Sequence, residues 1–319
     1  MLTIGGHGVL PRPLVAPVVA LGNFDGVHLG HAALLAETRR QAAERGGESV
    51  VLTFDPHPAR LLSPRLAPPL ITTTERKLAL IAERGIDACV VEPFDRALAA
   101  LGPEEFVDEV LVRALGARAV CVGYDFTFGK DRAGRVETLR ALGASRGFDV
   151  TVIPPFSVDG IVCSSTKVRE FVLEGQVTGA ALLLGRDFSI DGEVVRGAGR
   201  GRTIGVPTAN ARPLTELLPQ RGVYAGWVRL PAPWDQVHDA AINVGENPTF
   251  NATGGAAVTI EPHLLDFSGA DLYGSRIEVA FTQRLRDERR FSSVEELVAQ
   301  IRQDIEAARQ VAAAKRERR

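Results

Sequence analysis

The sequence predicts two domains of different class, an α/β domain followed by an antiparallel β domain that ends in a closing helix. The first observation is that short β-branched runs alternate with helical patterns over residues 17–156. The second is that strand-like runs after Gly185 follow one another without helices between them. The third is a long amphipathic pattern that starts at about Ser293. We therefore expect two domains, 1–184 and 185–319.

The first domain is predicted to be a parallel sheet. Its strand-like runs read PVVALGNF, SVVLTF, DACVVEPF, ARAVCVG and DVTVIPPF. The helical patterns between them read HAALLAETRRQAAERG, TTTERKLALIAERG, PEEFVDEVLVRALG and RVETLRALGASRG. Such alternation gives a parallel sheet with helices on both faces. Ligands bind at the carboxyl ends of the strands in such sheets, so the loops that follow the strands are the candidate site.

The second domain is predicted to be an antiparallel barrel or sandwich. Its strand-like runs read FSIDGEVV, GVYAGWVRL, HDAAINVG, AVTIEPHLLD and RIEVAFTQRL. In RIEVAF, the alternation predicts one buried face formed by Ile277, Val279 and Phe281. A capping box of Ser292 and Glu295 is expected to start the closing helix.

Composition narrows the class of partner. With a net charge of -2, 45% hydrophobic and 24% charged residues, the chain lacks the basic balance of a nucleic-acid-binding protein. The longest early apolar run, residues 14–21, is short and interrupted by Pro17, and no signal-peptide pattern follows. The cysteines (Cys89, Cys121, Cys163) lie far apart, which argues against a disulfide framework or a cysteine zinc site. We expect a cytoplasmic protein that acts on small molecules without a membrane or nucleic-acid partner. Its oligomeric state, a weak homo-oligomer included, is left open.

The loop GNFDGVHLGH follows the first predicted strand and runs into the first predicted helix. Helix N-termini favour anions, and glycines allow the backbone to approach a ligand closely. His28 and His31 could donate hydrogen bonds to phosphate oxygens there. A metal site and two ordinary turn histidines are the alternatives, although zinc would need further ligands that the neighbouring sequence does not supply.

At this point the motifs resemble a known family. GNFDGVHLGH is similar to the HxGH signature of nucleotidyltransferases, in the extended form of bacterial bifunctional riboflavin kinase/FAD synthetases. The first half adds TFDPHP, DFTFG and an SST segment followed by a basic residue. The second half adds GRTIGVPTAN, GVYA, NVGENPTF and HLLDF...DLYG. The resemblance spans essentially the whole chain in the family's order, and it implies a Rossmann-like nucleotidyltransferase sheet joined to a riboflavin kinase barrel.

For the first half, the resemblance implies that the phosphate of FMN attacks the α-phosphorus of ATP, giving FAD and pyrophosphate. His28 and His31 would hold the ATP phosphates and offset charge in the transition state. The remaining residues expected to bind ATP or its phosphates are Gly22, Asn23, Asp25, Gly30, Ser164, Ser165, Thr166 and Arg169. For Asp25, capping of the turn is the alternative. Lys167 stands where many families have arginine.

Flavin-lining residues are expected in two loops that follow strands: Asp55, Asp125, Phe126 and Phe128. A merely stiff TFDPHP loop and phenylalanines packed in the core are the alternatives.

For the second half, the resemblance implies phosphorylation of riboflavin by ATP and Mg²⁺. Glu261 matches the family's catalytic glutamate, a base for the ribityl hydroxyl. Thr208 and Asn210 supply oxygen ligands for Mg²⁺. The residues expected to cover the polyphosphate are Gly201, Arg202 and Gly205, with a solvated basic hairpin as the alternative. Arg196 stands where family members usually have histidine.

Two residues beside Glu261 have structural interpretations. Pro262 is unusual inside a strand and predicts an edge or bulge. His263 is expected to be a packed strand residue.

Two rival functions remain at this level. One is an adenylyltransferase for a nicotinate or pantetheine phosphate with an accessory β domain, against which the PTAN motif and Glu261 argue. The other is a non-catalytic flavin-binding protein, which would be expected to have lost the histidines, Thr208 or Glu261.

Overall fold

The computed structural model describes residues 1–197, 205–247, 257–267 and 271–317. The chain divides into two compact units. The first unit comprises Met1–Pro68 and Thr74–Ser164, and the second comprises Pro69–Thr73 and Ser165–Arg319. A short segment, 69–73, therefore belongs to the second unit although its chain neighbours on both sides belong to the first.

The first unit contains a six-stranded parallel sheet in the order β1-β4-β3-β2-β5-β8. Its strands are β1 (Leu2–Ile4), β2 (Val18–Leu21), β3 (Ser49–Asp55), β4 (Ala88–Pro93), β5 (Ala119–Gly123) and β8 (Asp149–Ile153). Two small antiparallel pairs accompany it, β6 (Thr127–Phe128) with β7 (Gly134–Arg135) and β9 (Ser157–Val158) with β10 (Ile161–Val162). The parallel sheet is confirmed. Strand β1 escaped sequence analysis because it has only three residues, two of them exposed.

Helices cover both faces of this sheet. Successive residues of β2 point to opposite faces, and they join different apolar clusters, Val19 and Leu21 in one and Val18 and Ala20 in the other. The helices are α1 (Leu29–Glu44), α2 (Pro58–Leu62), α3 (Thr74–Glu83), α4 (Arg96–Ala100), α5 (Pro103–Phe106), which continues as a π-helix over Val107–Ala114, and α6 (Val136–Arg146). Short 3₁₀ turns occur at His7–Val9, Pro64–Leu66 and Lys130–Arg132.

The second unit contains a closed six-stranded antiparallel barrel in the order β11-β12-β15-β14-β13-β16. Two helices precede it, α7 (Ser165–Leu173) and α8 (Val177–Leu184). The strands are β11 (Phe188–Val195), β12 (Asn210–Pro213), β13 (Gly222–Arg229), β14 (Val237–Asn247), β15 (Ala257–Leu264) and β16 (Arg276–Arg286). Helix α9 (Val294–Glu317) closes the chain. The barrel, rather than a sandwich, is therefore the architecture of this half.

Aromatic rings fill the barrel. Phe281 packs edge-on against Tyr224 at 5.4 Å between ring centroids and lies 6.1 Å from the ring of Phe188. The expected alternation along β16 was only partly correct, because Glu278 is also buried. Its carboxylate accepts a hydrogen bond from the Ser189 hydroxyl at 2.8 Å and lies 3.4 Å from Nε of Arg229. These partners on neighbouring strands let a charged side chain occupy the second face of the strand.

Helix α9 starts one residue later than the predicted capping box requires. The Oγ of Ser293 accepts from the backbone N–H of Glu296, so Ser293 is the N-cap. The carboxylate of Glu296 in turn accepts from the backbone N–H and hydroxyl of Ser292. The predicted pair of Ser292 and Glu295 was wrong by one position because consecutive serines and glutamates offer two registers.

Candidate active sites

The loop between β2 and α1 has an unusual backbone. Phe24, Gly26 and Val27 adopt positive φ angles of 52°, 79° and 39°. Such values are uncommon for a bulky or β-branched residue and persist only where the surroundings enforce them. One enforcing contact is a hydrogen bond of 3.0 Å from the hydroxyl of Thr53 to the carbonyl oxygen of Asn23. The strain lies in the segment that leads directly to His28.

His28 and His31 lie together at the start of α1. His28 is the N-cap, and its Nδ1 accepts from the backbone N–H of His31 at 3.3 Å. The rings stack with centroids 3.7 Å apart and planes 19° from parallel. Because Nδ1 acts as an acceptor, a neutral His28 carries its proton on Nε2 and can donate from that atom. Helix α1 begins at Leu29, two residues before the start predicted at His31, so His31 lies in the first helical turn.

His31 carries an unsatisfied polar atom. Among the described residues, its buried Nδ1 has no hydrogen-bond partner. Burial, then the neighbouring His28 and Lys77, hold the pKa of His31 well below its usual value, which favours the neutral ring. Buried polar atoms in proteins are nearly always paired, so this nitrogen is available to bond a phosphate oxygen.

A side chain at position 30, in the middle of this signature, would crowd the ring of His28. A Cβ on Gly30 would lie 3.1 Å from Cε1 and Nδ1 of His28 and 3.4 Å from the carbonyl oxygen of Cys163. Gly22 is similarly crowded by the ring of Phe24, at 3.3 Å. The first turn of α1 therefore adjoins the residue that precedes the SST segment.

The SST segment lies at the start of α7, as expected for a strand-to-helix loop. Ser164 and Ser165 are half-buried and Thr166 is exposed. Arg169 is buried, and its Nε donates to the carbonyl oxygen of Pro69 at 2.8 Å. The side chain predicted to clamp pyrophosphate thus holds a backbone contact in the second unit.

The predicted flavin-lining residues separate into accessible and buried groups. Asp55 and Asp125 are exposed at the ends of β3 and β5, and Asp55 accepts from the Thr74 hydroxyl at 3.1 Å. Phe126 is half-buried, whereas Phe128 is only 7% exposed and belongs to the core. The two rings stack at 5.5 Å. Phe128 therefore supports Phe126 from the core side.

In the barrel, two of the predicted kinase residues, Asn210 and Glu261, lie opposite each other on neighbouring strands. Glu261 pairs with Asn243 on β14, and the register of Ala211 with Ile260 puts Asn210 opposite Glu261 on the other side. These side chains project on the same face because they are cross-strand neighbours. Sequence analysis missed Asn243, although it lies in the NVGENPTF motif. Gly201 and Arg202 lie outside the described residues, and Gly205 is exposed.

The segment that carries Thr208 is tied to the strand that carries Glu261. Nδ1 of His263 lies 2.7 Å from the carbonyl oxygen of Pro207. The backbone N–H of Ala209 donates to the carbonyl oxygen of Pro262 at 2.9 Å. Pro262 lies within β15, opposite Ile242 of β14, and β15 has a neighbouring strand on each side in the closed barrel, so the predicted strand edge was wrong. His263 therefore packs against the segment that carries Thr208, a proposed Mg²⁺ ligand, and holds that segment in place.

Thr208 and Asn210 are both half-buried and offer oxygen donors. Among the described residues, histidine, cysteine, aspartate and glutamate form no cluster that could hold a metal by themselves. Any cation held here would therefore depend on hydroxyl and amide oxygens, the hard donors that suit Mg²⁺.

Models of two protein families match different parts of the chain. The model of the FAD synthetase family matches residues 13–167, and that of the riboflavin kinase family matches residues 184–312. A bifunctional riboflavin kinase/FMN adenylyltransferase of Escherichia coli (strain K12) is 38% identical, covering 96% of each chain. The Pseudomonas fluorescens relative of the same description is 40% identical, covering 93% of each chain.

A solved structure described as a macrolide-efflux protein from Streptococcus pneumoniae has a TM-score of 0.84 and 31% identity, covering 97% of this chain and 98% of that chain. In the described part of this chain, no helix is both long and apolar enough to cross a membrane. Sequence similarity along nearly the whole chain, together with both family matches, gives the assignment. The chain belongs to the family of bifunctional riboflavin kinases/FMN adenylyltransferases.

Proposed function

We propose that the chain carries out the two reactions of its family at separate sites. Residues 185–319 phosphorylate riboflavin with ATP to give FMN and ADP, and residues 1–184 adenylylate FMN with a second ATP to give FAD and pyrophosphate. The unpaired buried Nδ1 of His31, stacked beside His28, carries the proposal for the second reaction.

In the adenylyl transfer, a phosphate oxygen of FMN attacks the α-phosphorus of ATP and the bond to the bridging oxygen breaks. His28 and His31 donate to phosphate oxygens as charge develops on them, an effect that is strong in a desolvated site. The first turn of α1 adds backbone N–H groups and a partial positive charge. The loop residues that complete the ATP site are Gly22, Asn23, Asp25 and Gly30.

As the resemblance implies, Ser164, Ser165 and Thr166 would offer hydroxyl donors to the leaving pyrophosphate, and Arg169 stabilises the start of α7 through the carbonyl oxygen of Pro69. The half-buried Phe126 receives the planar flavin ring, with Phe128 behind it. Asp55 and Asp125 accept hydrogen bonds from the polar part of the substrate.

In the kinase reaction, Glu261 accepts the proton of the ribityl hydroxyl as that oxygen attacks the γ-phosphorus of ATP. Thr208 and Asn210 would hold Mg²⁺ jointly with the phosphates, and Gly201, Arg202 and Gly205 would cover them. When bound, Mg²⁺ neutralises charge on the phosphate oxygens. The placement of Asn210 opposite Glu261 supports this arrangement.

The purified chain tests the proposal directly. Incubation with riboflavin, ATP and Mg²⁺, followed by chromatographic separation of the flavins, should yield FMN first and FAD later. Bound but unchanged riboflavin would favour a flavin-binding protein. Adenylylation of nicotinate mononucleotide or phosphopantetheine without FAD formation would favour the other adenylyltransferases. We place the protein in the cytoplasm, where its three buried, unpaired cysteines would remain reduced.

A further inference from the structure

Lys77 is a buried lysine to which the two proposed reactions assign no role. It lies on α3 and is 8% exposed. Lysine is almost never buried unless its ammonium group has partners. Its partners therefore indicate what it does.

The ammonium group of Lys77 begins a chain of hydrogen bonds. Nζ donates to Oγ1 of Thr53 at 3.2 Å and to the carbonyl oxygen of Phe54 at 3.2 Å. The Thr53 hydroxyl, which is fully buried, donates onward to the carbonyl oxygen of Asn23 at 3.0 Å. A hydroxyl that accepts one hydrogen bond and donates another fixes the position of its acceptor relative to its donor, and each bond polarises the next. This series of hydrogen bonds thus links Lys77 to Asn23, the first residue of the strained loop.

The surrounding charges favour this arrangement. Burial lowers the pKa of Lys77, while the nearby carboxylates of Asp55 and Asp25 oppose that effect. Asp25 is itself only 4% exposed. Lys77 also contributes, after burial and His28, to the lowered pKa of His31. The ammonium group is therefore electrostatically coupled to several residues proposed for the adenylyl-transfer site.

We propose that Lys77 is a positioning residue for adenylyl transfer: through Thr53 it fixes the carbonyl of Asn23 and holds the strained loop that orients His28 and His31. The inference rests on the proposed role of those two histidines. Positive φ angles at Phe24 and Val27 require external enforcement, and this buried chain supplies it. Neither Lys77 nor Thr53 touches the reacting atoms.

The test is a double-mutant cycle in the full chain, with Lys77→Met and Thr53→Val measured singly and together. Misplacing a catalytic group by about 1 Å costs on the order of 10²-fold in rate, so each single variant should lower kcat for adenylyl transfer by about 10- to 100-fold. Because both residues act through one chain, the double variant should fall no further than the slower single variant. The KM for FMN should stay near the parent value.

Three controls separate positioning from folding. Thr53→Ser keeps the hydroxyl and should stay near the parent rate. Arg84→Met, just beyond the end of α3, removes a cation that takes no part in these hydrogen bonds and should have little effect on kcat for adenylyl transfer. Riboflavin phosphorylation by the same protein, which depends on the second half, confirms that equal amounts of intact protein are compared, and an unchanged KM for FMN reports that the first half is folded.

Two results would overturn the inference. The first is a Thr53→Val enzyme as fast as Thr53→Ser, a comparison that holds even if Lys77→Met does not fold. The second is a double variant whose loss equals the product of the single losses. A His28→Ala/His31→Ala enzyme that kept full adenylyl transfer would instead refute the proposed function, so the two failures are distinguishable.

Discussion

Gly30→Ala should lower adenylyl transfer through a contact with the His28 ring, without straining the backbone of α1. Gly30 lies in the first turn of α1, and its φ is outside the left-handed region. Alanine is favoured over glycine in a helix interior by up to about 1 kcal/mol. The backbone therefore tolerates the substitution, and any loss must come from what the new methyl group meets.

That methyl group would meet His28. A Cβ at position 30 lies 3.1 Å from two atoms of the His28 ring and 3.4 Å from the carbonyl oxygen of Cys163. The ring must move by a few tenths of an ångström, away from its 3.7 Å stack with His31. Loss of one electrostatic donor costs about 10²- to 10³-fold in kcat. A displaced donor should lose part of that, so we expect a fall of roughly 10- to 100-fold.

The assay is the steady-state rate of FAD formation from FMN and ATP, together with thermal unfolding of the same samples. Gly8→Ala is the matched control, because a Cβ there meets nothing within 4 Å and its φ is also outside the left-handed region. It should leave the rate unchanged. Parent-like FAD formation by Gly30→Ala would show that the position of the His28 ring does not govern the reaction.

Two further predictions concern the second half. Glu261→Gln keeps the size of the side chain but removes the base, so FMN formation should fall by about 10² to 10⁴-fold. Thr208→Ala should also slow FMN formation, and in a titration extra Mg²⁺ should partly rescue this variant but not Glu261→Gln. Equal rescue of the two variants would refute their separate roles. A fragment of residues 165–319 should unfold at higher temperature than one of residues 186–319, because α8 contacts β11 and β16 of the barrel and carries the buried Leu183 and Leu184. Each buried leucine is worth about 1.5–3 kcal/mol, and equal melting temperatures would show that α8 adds no stability.

The fold was predictable where periodicity was strong. Runs such as SVVLTF and GVYAGWVRL are long, apolar and bounded by turn residues, and each became a strand. Strand β12 was missed because Asn-Ala-Arg-Pro carries no apolar pattern, and its place is set by pairing with β11 and β15. Pairing between distant segments leaves little trace in a short local sequence.

For the sites, sequence motifs identified residues but not their environments. The spacing of His28 and His31 and the glycine between them pointed to a phosphate site. The stacking of the rings and the buried, unpaired Nδ1 depend on packing that no local pattern encodes. Nothing in the helical pattern TTTERKLALIAERG distinguishes Lys77 from its other polar residues. Only the structure brings it to Thr53.

Phe128 shows the limit of residue type as a signal. Its position in a glycine-rich loop suggested contact with the flavin, but its ring lies in the core beside Phe106. Phe126, two residues away on the same side, is half-buried. Phe128 lies in the short β6–β7 pair, which is too small to recognise in the sequence, so the burial of its ring could not be predicted.

If the two sites act independently and in sequence, a mixture of two complementary variants should restore the whole conversion. The His28→Ala/His31→Ala variant, given riboflavin, ATP and Mg²⁺, should accumulate FMN without FAD. The Glu261→Gln variant should make little FMN from riboflavin but should convert supplied FMN to FAD. An equimolar mixture of the two should convert riboflavin to FAD, because FMN released by one variant is used by the other. Failure of the mixture to make FAD, or loss of both reactions in either variant, would show that the two sites do not work independently.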